Sequence, residues 1–272
     1  MSGTGRTGED LVVVGRQKWI ADVALKQAAV DLGCSVEDFS KNACVVVEGK
    51  GERKGRRKDL KGAYACHMIS FGGNIVAAVE HEFEELVKEY ISKYDPSYCF
   101  SSPFLNVLYD RFKPLGYGVG NMAEYWLPDL TLLKPLPCVY QTRVMNKTDF
   151  ADLYTEEWSN ALCADRSELD VLGVGAFDDE GKLVGLAACS MDGEDMWQIG
   201  IDVLPKYRRM GIASALTSQL AVEILKRDKV PFYCCAWCNI GSARNAQKSG
   251  FRLAWTDLRI QKQEEIDIIN NI

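Results

Sequence analysis

Residues 201–214 read Ile-Asp-Val-Leu-Pro-Lys-Tyr-Arg-Arg-Met-Gly-Ile-Ala-Ser. A strand-like run ends at Pro205, a short loop carries Arg208, Arg209 and Gly211, and a helical pattern starts near Ala213. A helix start leaves backbone N–H groups unpaired, and the positive end of the dipole adds to them. Such a turn binds anions. Gly211 lets the backbone approach a phosphate and small Ala213 keeps the path open, so a diphosphate fits here. A plain strand–helix turn with a solvated basic pair has the same composition, and these residues alone do not separate the two readings.

The other reactive side chains say less. Ten cysteines sit mostly in apolar runs such as 43–45 and 188–189, as reduced core residues do. Cys235-Ala-Trp-Cys238 is a lone CxxC, and His67 and His81 are far from it in sequence. Zinc takes four ligands, so no metal is expected.

The elements that must hold the turn follow from periodicity. Apolar residues at helical spacing over 19–33 predict a helix closed by Gly33, and 43–47 predict a strand. Residues 50–62 carry seven positive charges, two negative charges and three glycines, which predicts a mobile, solvated loop, with attraction of an acidic acceptor as the alternative. A strand over 64–71, a helix over 74–94, a strand near 98–100 and a helix over 106–112 complete the first half. Pro128, Pro135 and Pro137 break regular structure and mark a domain boundary. Beyond it come a strand at 139–144, a helical stretch at 147–163, strands at 172–177, 183–191 and 196–203, a helix at 213–227, a strand at 231–236, a helix at 239–249 and a strand at 251–260. The order β-α-β-β-β-α-β-α-β is a mixed α/β sheet.

At 272 residues, two domains are expected, over 1–135 and 136–272. The net charge of −6 argues against nucleic acid as a partner. A polyanionic ligand would then need a local patch of backbone N–H groups and cations. Met1 to Asp10 has no apolar core of an export signal and no run is long enough to span a membrane, so a cytoplasmic protein is expected.

Arg208-Arg-Met-Gly211-Ile-Ala213 resembles the signature of the GNAT (Gcn5-related) N-acetyltransferase family, Gln/Arg-x-x-Gly-x-Gly/Ala at a strand–helix turn. Asn239-x-x-Ser242-x-Arg244-x-Ala246-x-Lys248-x-Gly250-Phe251 is similar to the family's second hallmark segment. The resemblance covers about residues 138–262. It implies a GNAT-like mixed central sheet flanked by helices, with acetyl-CoA as cosubstrate and an amine of a small molecule or protein as acceptor. It also implies roles. Ile201, Asp202 and Val203 would offer backbone groups to the pantetheine arm. Arg208 and the backbone of Arg209, Met210, Gly211, Ile212, Ala213 and Ser214 would hold the pyrophosphate. Asn239 and Ser242 would contact the cofactor arm, and both also suit a helix cap.

The match fails at the acid and base that many members carry. The fourth strand of the catalytic half offers Trp197-Gln198, the fifth Cys234-Cys235, and the place of a tyrosine acid is similar to Ala246. Glu156, Glu157, Asp202 and Cys234 are the stand-ins. The glutamates suit a solvated helix face, and Asp202 alternates with its neighbours across the strand. No catalytic residue is assigned.

Residues 64–119 echo 196–254 in the order strand, glycine turn, helix, strand, helix, Gly-aromatic, strand. The smaller first α/β domain is therefore either a degenerate GNAT-like unit or a repeat of common α/β punctuation. Phe71-Gly-Gly-Asn74 replaces the signature there, so that half is expected to wall the acceptor site or to form a homodimer surface. Three functions remain open: an N-acetyltransferase working by direct attack, a catalytically weak acyl-CoA sensor, and a structural partner protein.

Overall fold

The computed structural model describes residues 8–51, 53–60, 62 and 64–271. The reading of Met1 to Asp10 falls largely on residues outside these. Along the chain come α1 (Gly8–Leu32), β1 (Val45–Glu48), β2 (Cys66–Ser70), β3 (Val76–Val79), α2 (Glu84–Lys93), α3 (Ser102–Phe112) and β4 (Tyr117–Pro128). They are followed by β5 (Gln141–Asn146), β6 (Asp170–Phe177), β7 (Leu183–Ser190), β8 (Met196–Val203), α4 (Ile212–Leu225), β9 (Val230–Ala236), α5 (Ile240–Lys248), β10 (Phe251–Lys262) and α6 (Gln263–Asn270).

The chain forms two compact units that interleave in sequence. The first takes its residues from Met1–Ala24, Trp126–Cys234 and Asn239–Leu253, the second from Leu25–Tyr125, Cys235–Cys238 and Ala254–Ile272. The division therefore differs from a single cut after residue 135. The reason lies in pairing: β10 runs antiparallel to β2, with Thr256 opposite Ser70 and Ile260 opposite Cys66. The last strand from Ala254 onward thus belongs with the N-terminal half, which a linear reading of motifs does not show.

In the first unit the strands lie in the order β9-β8-β7-β6-β5. The β5–β6, β6–β7 and β7–β8 pairs are antiparallel and β8–β9 is parallel, so the sheet is mixed as expected. Helix α4 covers one face. It is apolar nearly all round, as a fully buried helix must be, with Ile212, Leu216, Leu220 and Ile224 at 0–1% exposure. Gly185 on β7 makes the close approach possible, since a Cβ there would fall 2.8 Å from Ile212. On the other face Phe150, Trp158 and Leu162 pack with Met145, Leu186 and Ala188. The helical stretch expected over 147–163 is two short 3-10 turns, Lys147–Phe150 and Glu156–Trp158. The Thr155 N–H bonds back only to Leu153 O, which interrupts a continuous helix.

In the second unit the order is β1-β3-β2-β10. Cys66, Met68, Ala77, Val79 and Leu258 form a core with Val87, Tyr90 and Ile91 of α2 and Leu108 and Phe112 of α3. Two elements depart from expectation. Residues 74–94 are not one helix: Val76–Val79 is a buried strand, parallel to β1 and antiparallel to β2. Periodicity cannot tell a short buried apolar run in a strand from one in a helix. Asn74 fixes the turn by donating to Asp38 O (2.8 Å) and Ala43 O (3.1 Å). Residues 98–100 are a turn, because Asp95 accepts from Ser97 N (2.9 Å) and Ser101 N bonds Tyr98 O (2.9 Å).

Candidate functional site: a helix start at a strand fork

Strands β8 and β9 pair only at Met196–Val230, Trp197–Pro231 and Gln198–Phe232. Beyond Gln198 they part, although β8 continues to Val203 and β9 to Ala236. On its other side β8 stays paired with β7 as far as Val203. The result is a fork in which the backbone groups of β8 that face β9 are open, and an extended amide chain can pair with such an edge.

Alternation along β8 puts Ile199, Ile201 and Val203 on one face and Gln198, Gly200 and Asp202 on the other. Gly185 identifies the faces. It stands opposite Val203, and its missing side chain is met by Ile212, Leu216 and Val203. The Ile201 and Val203 face is thus the α4 face.

After β8 the chain makes a 3-10 turn at Pro205–Tyr207 and then enters α4. Arg209 and Gly211 both take positive φ, 65° and 83°. At Gly211, the N-cap, that conformation favours glycine, and with no side chain it cannot cap the helix. The first intrahelical bond from this cap is Ala215 N–H to Gly211 O (3.1 Å). The N–H groups of the first turn therefore keep their hydrogen-bonding capacity for a ligand. A Cβ on Gly211 would find only Lys248 Nζ, at 3.8 Å, so the helix start opens onto space.

That space is a cavity of about 640 Å³. It is walled by Ile201, Asp202 and Val203 of β8, by Arg208, Arg209, Gly211, Ile212, Ala213 and Ser214 at the helix start, and by Asn239 and Ser242. The structure brings together all but one of the residues the sequence placed here. Met210 is the exception: its side chain is 45% exposed and it does not line the cavity. Asn239 caps α5, its Oδ1 accepting from Ser242 N (3.1 Å). Two helix starts thus face one cavity, and only that of α4 is uncapped by a side chain.

Sequence reasoning missed Tyr207 and Tyr233, and it left Gly241, Arg244, Asn245 and Lys248 without a role. The last four have a readable signal: spacing i, i+3, i+4, i+7 puts them on one helix face. Arg208, Arg209, Arg244 and Lys248 make no ion pair with a carboxylate among the described residues, and all four are exposed. The cavity is therefore cationic within a chain of net charge −6.

The acid and base stand-ins do not gather here. Glu156 and Glu157 are exposed on a 3-10 turn, and hydrogen bonding from Thr155 holds Glu157 below the usual carboxylate range. The Asp202 carboxylate faces away from α4 and accepts from Asn160 N (2.8 Å), Asn160 Nδ2 (2.8 Å) and Ala161 N (2.9 Å). Cys234 lies at the apex of the fork, where Gln198 Nε2 donates to its Sγ (3.3 Å). Ala246 is fully buried. Among the described residues no group of three His, Cys, Asp or Glu side chains could hold a metal ion. No described helix is long and apolar enough to cross a membrane.

An uncapped helix start opening onto a cationic cavity is the layout of an anion site. Residues 125–256 match the model of the GNAT acetyltransferase family. Among solved structures, a GCN5-related N-acetyltransferase from Kribbella flavida is 14% identical with a TM-score of 0.50, over 88% of this chain and 95% of that one. A GCN5-related N-acetyltransferase from Sphaerobacter thermophilus is 13% identical over 75% and 78% of the two chains, with a TM-score of 0.46. A GNAT-family acetyltransferase from Colwellia psychrerythraea is 15% identical over 71% and 79%, with a TM-score of 0.44. No curated protein matches the sequence. At these identities the likeness to the Kribbella flavida structure is one of fold.

Proposed function

We propose that the protein is a cytoplasmic N-acetyltransferase that takes its acetyl group from acetyl-CoA and passes it directly to an amine of a small molecule or a protein. Family and fold support an acyltransferase role. The observation that carries the finer reading is the uncapped start of α4, opening onto a cationic cavity at the fork. A pyrophosphate satisfies the N–H groups of Gly211 to Ser214, and Arg208, Arg209, Arg244 and Lys248 supply countercharge. The open edge of β8 at Ile201 and Val203 suits the amides of a pantetheine arm. Bound there, the cosubstrate supplies an activated acyl carbon.

The chain's own part is alignment. The lone pair of a neutral acceptor nitrogen forms the N–C bond, the C–S bond breaks with its electron pair going to sulfur, and the proton lost by the nitrogen passes through solvent to the thiolate, giving the thiol. Holding the two reactants together accounts for much of such a rate, and β8 backbone N–H groups can stabilise the developing oxyanion. A second reading has a specific support. Of the acid and base stand-ins, Glu156 and Glu157 are exposed on a 3-10 turn and the Asp202 carboxylate is engaged by Asn160 and Ala161, which suits a catalytically weak acyl-CoA sensor.

Calorimetry with acetyl-CoA and thiol release across a panel of amines test both. Binding with turnover supports the enzyme, binding without turnover the sensor, and absence of binding overturns both.

A further inference from the structure

The side of the fork opposite α4 carries its own construction, made around Asp202. Its carboxylate takes three hydrogen bonds from two consecutive residues, Asn160 and Ala161, at 2.8–2.9 Å. Such charge-assisted bonds to two backbone N–H groups fix a segment rather than a single side chain. Two positions back along β8, Gly200 shares the face of Asp202. A Cβ on Gly200 would penetrate the Asn160 carbonyl oxygen and crowd Ala161 Cα. The absence of a side chain at 200 and the carboxylate at 202 therefore act together: one lets the segment come down on the strand, and the other pins it. The segment is further seated by Trp158, Ala161 and Leu162 in the core of that face. Gly200 and Asp202 both lie in the stretch of β8 that has lost its β9 partner.

We propose that Asp202 is a positioning residue for the acceptor: it clamps residues 158–162 across the open fork as the wall against which the acceptor amine is held. This rests on the acetyltransferase reading above. It gives Asp202 a role that is neither a base nor a side-chain contact to acetyl-CoA. The carboxylate is already committed to three donors, and its face is opposite that of Ile201, Val203 and α4. Only the backbone of residue 202 is left to the cosubstrate side.

The test uses the full-length protein and Asp202→Asn, with Gly200→Ala as an independent second variant. Acetyl-CoA affinity is read by calorimetry, and KM for the best amine, kcat and their pH profiles by thiol release. Asp202→Asn puts an amide N–H₂ among donors, and Gly200→Ala lifts the segment; each is expected to raise the amine KM about tenfold or more while the acetyl-CoA Kd stays within about twofold. The pH profile of kcat should keep its shape. Hydrogen exchange at Asn160 and Ala161 should accelerate in both variants. Loss of one limb of the pH profile in Asp202→Asn makes it a base and overturns the proposal. So does loss of acetyl-CoA affinity in folded protein, or an unchanged amine KM with accelerated exchange. If the wild-type protein binds acetyl-CoA but acetylates no amine, the enzyme reading fails and takes this one with it. If it acetylates and the variants behave as wild type, this one alone fails.

Discussion

Two groups of cations in this chain are used in opposite ways. Arg208, Arg209, Arg244 and Lys248 stand exposed around the cavity and meet no carboxylate among the described residues. Arg53, Arg56 and Arg57, from the basic segment of the second unit, are turned inward. Arg57 is 2% exposed and its Nε donates to Asp31 Oδ2 (2.5 Å). Its other nitrogens approach Asp59 (3.8 Å) and Asp257 (3.9 Å). Arg56 bonds Gly62 O (2.7 Å), and Arg53 bonds Glu48 O (3.1 Å). Burial alone would lower the Arg57 pKa, but the carboxylates of Asp59 and Asp31 hold it well above its ordinary value. A count of charges therefore does not separate the two uses: Arg53, Arg56 and Arg57 of the segment densest in Lys and Arg are spent on structure while Lys50, Lys54 and Lys58 stay exposed, and the sparser set lines the cavity.

The sharpest way to break this contrast is to remove a spent cation. Arg57→Met leaves the buried Asp31 carboxylate without its cation, while Asp257 keeps Arg259, and is expected to cost about 3–5 kcal/mol of stability. Denaturant midpoints measure it. A loss below about 1 kcal/mol would mean that the segment is solvated after all, as its composition suggests.

The cavity side should answer in binding, not in stability. Gly211→Trp places a side chain at the helix start and a non-glycine residue at φ 83°. We expect acetyl-CoA affinity to fall at least about 100-fold in calorimetry, because the ring excludes an anion from the first-turn N–H groups. Circular dichroism should show a folded protein. Unchanged affinity would remove the helix start from the site.

How much of this could be read from residues alone differs between the two regions for the same physical reason. Arg208 to Ala213 and Asn239 to Phe251 act through local backbone geometry: a turn, a cap, one helix face. Local geometry is written in local sequence, so the β8–α4–β9–α5 order and most cavity residues were legible. The second unit is built from contacts distant in sequence. Asp257 meets His67 at 2.7 Å and Arg57 at 3.9 Å across about 190 and 200 residues. No periodicity announces such partners, so the basic segment reads as solvated. The same limit hid β3, whose partners β1 and β2 decide that it is a strand, and the pairing of β10 with β2. Asp202 is the intermediate case: its alternation along β8 is visible in the sequence, but its partners at 160 and 161 are not.

Asp170 extends the comparison to a buried acid whose burial outweighs the pull of Arg166. It is 1% exposed and makes no ion pair among the described residues, and Cys163 N donates to it at 3.1 Å. Burial pushes its carboxyl up to about 6. The sign follows from linkage. Below the unfolded value near 4 the group is neutral in both states, and that relative stability is lost as pH rises through 6. Asp170→Asn should therefore match wild type near pH 4 and gain about 1–2 kcal/mol over it above pH 7. Thermal melts across pH measure the difference. A variant less stable than wild type at pH 8 would show that the charged form is held by partners in the way Asp257 is.

The smallest effect is expected at the thiols. Cys234 shares the face of Gln198 at the apex of the fork, and Gln198 Nε2 donates to its Sγ at 3.3 Å. Cys235 alternates to the opposite face and is buried. A cysteine that takes up an acyl group must first be a thiolate, and that needs a base or a cation beside it. Both histidines of the chain, His67 and His81, are far from these cysteines in sequence, and His67 Nε2 is engaged with Asp257. The exposed arginines line the cavity at the start of α4, and Gln198 is a neutral donor to the Cys234 thiol. On the proposed function the cavity cations serve an anion at the helix start, and direct attack needs no cysteine nucleophile. Cys234→Ala and Cys235→Ala should each retain turnover within about twofold to threefold. Protein incubated with acetyl-CoA and analysed by mass spectrometry should carry no stoichiometric acetyl group on either residue. A rapidly formed acetyl-cysteine that an added amine then discharges would replace direct attack with a two-step route.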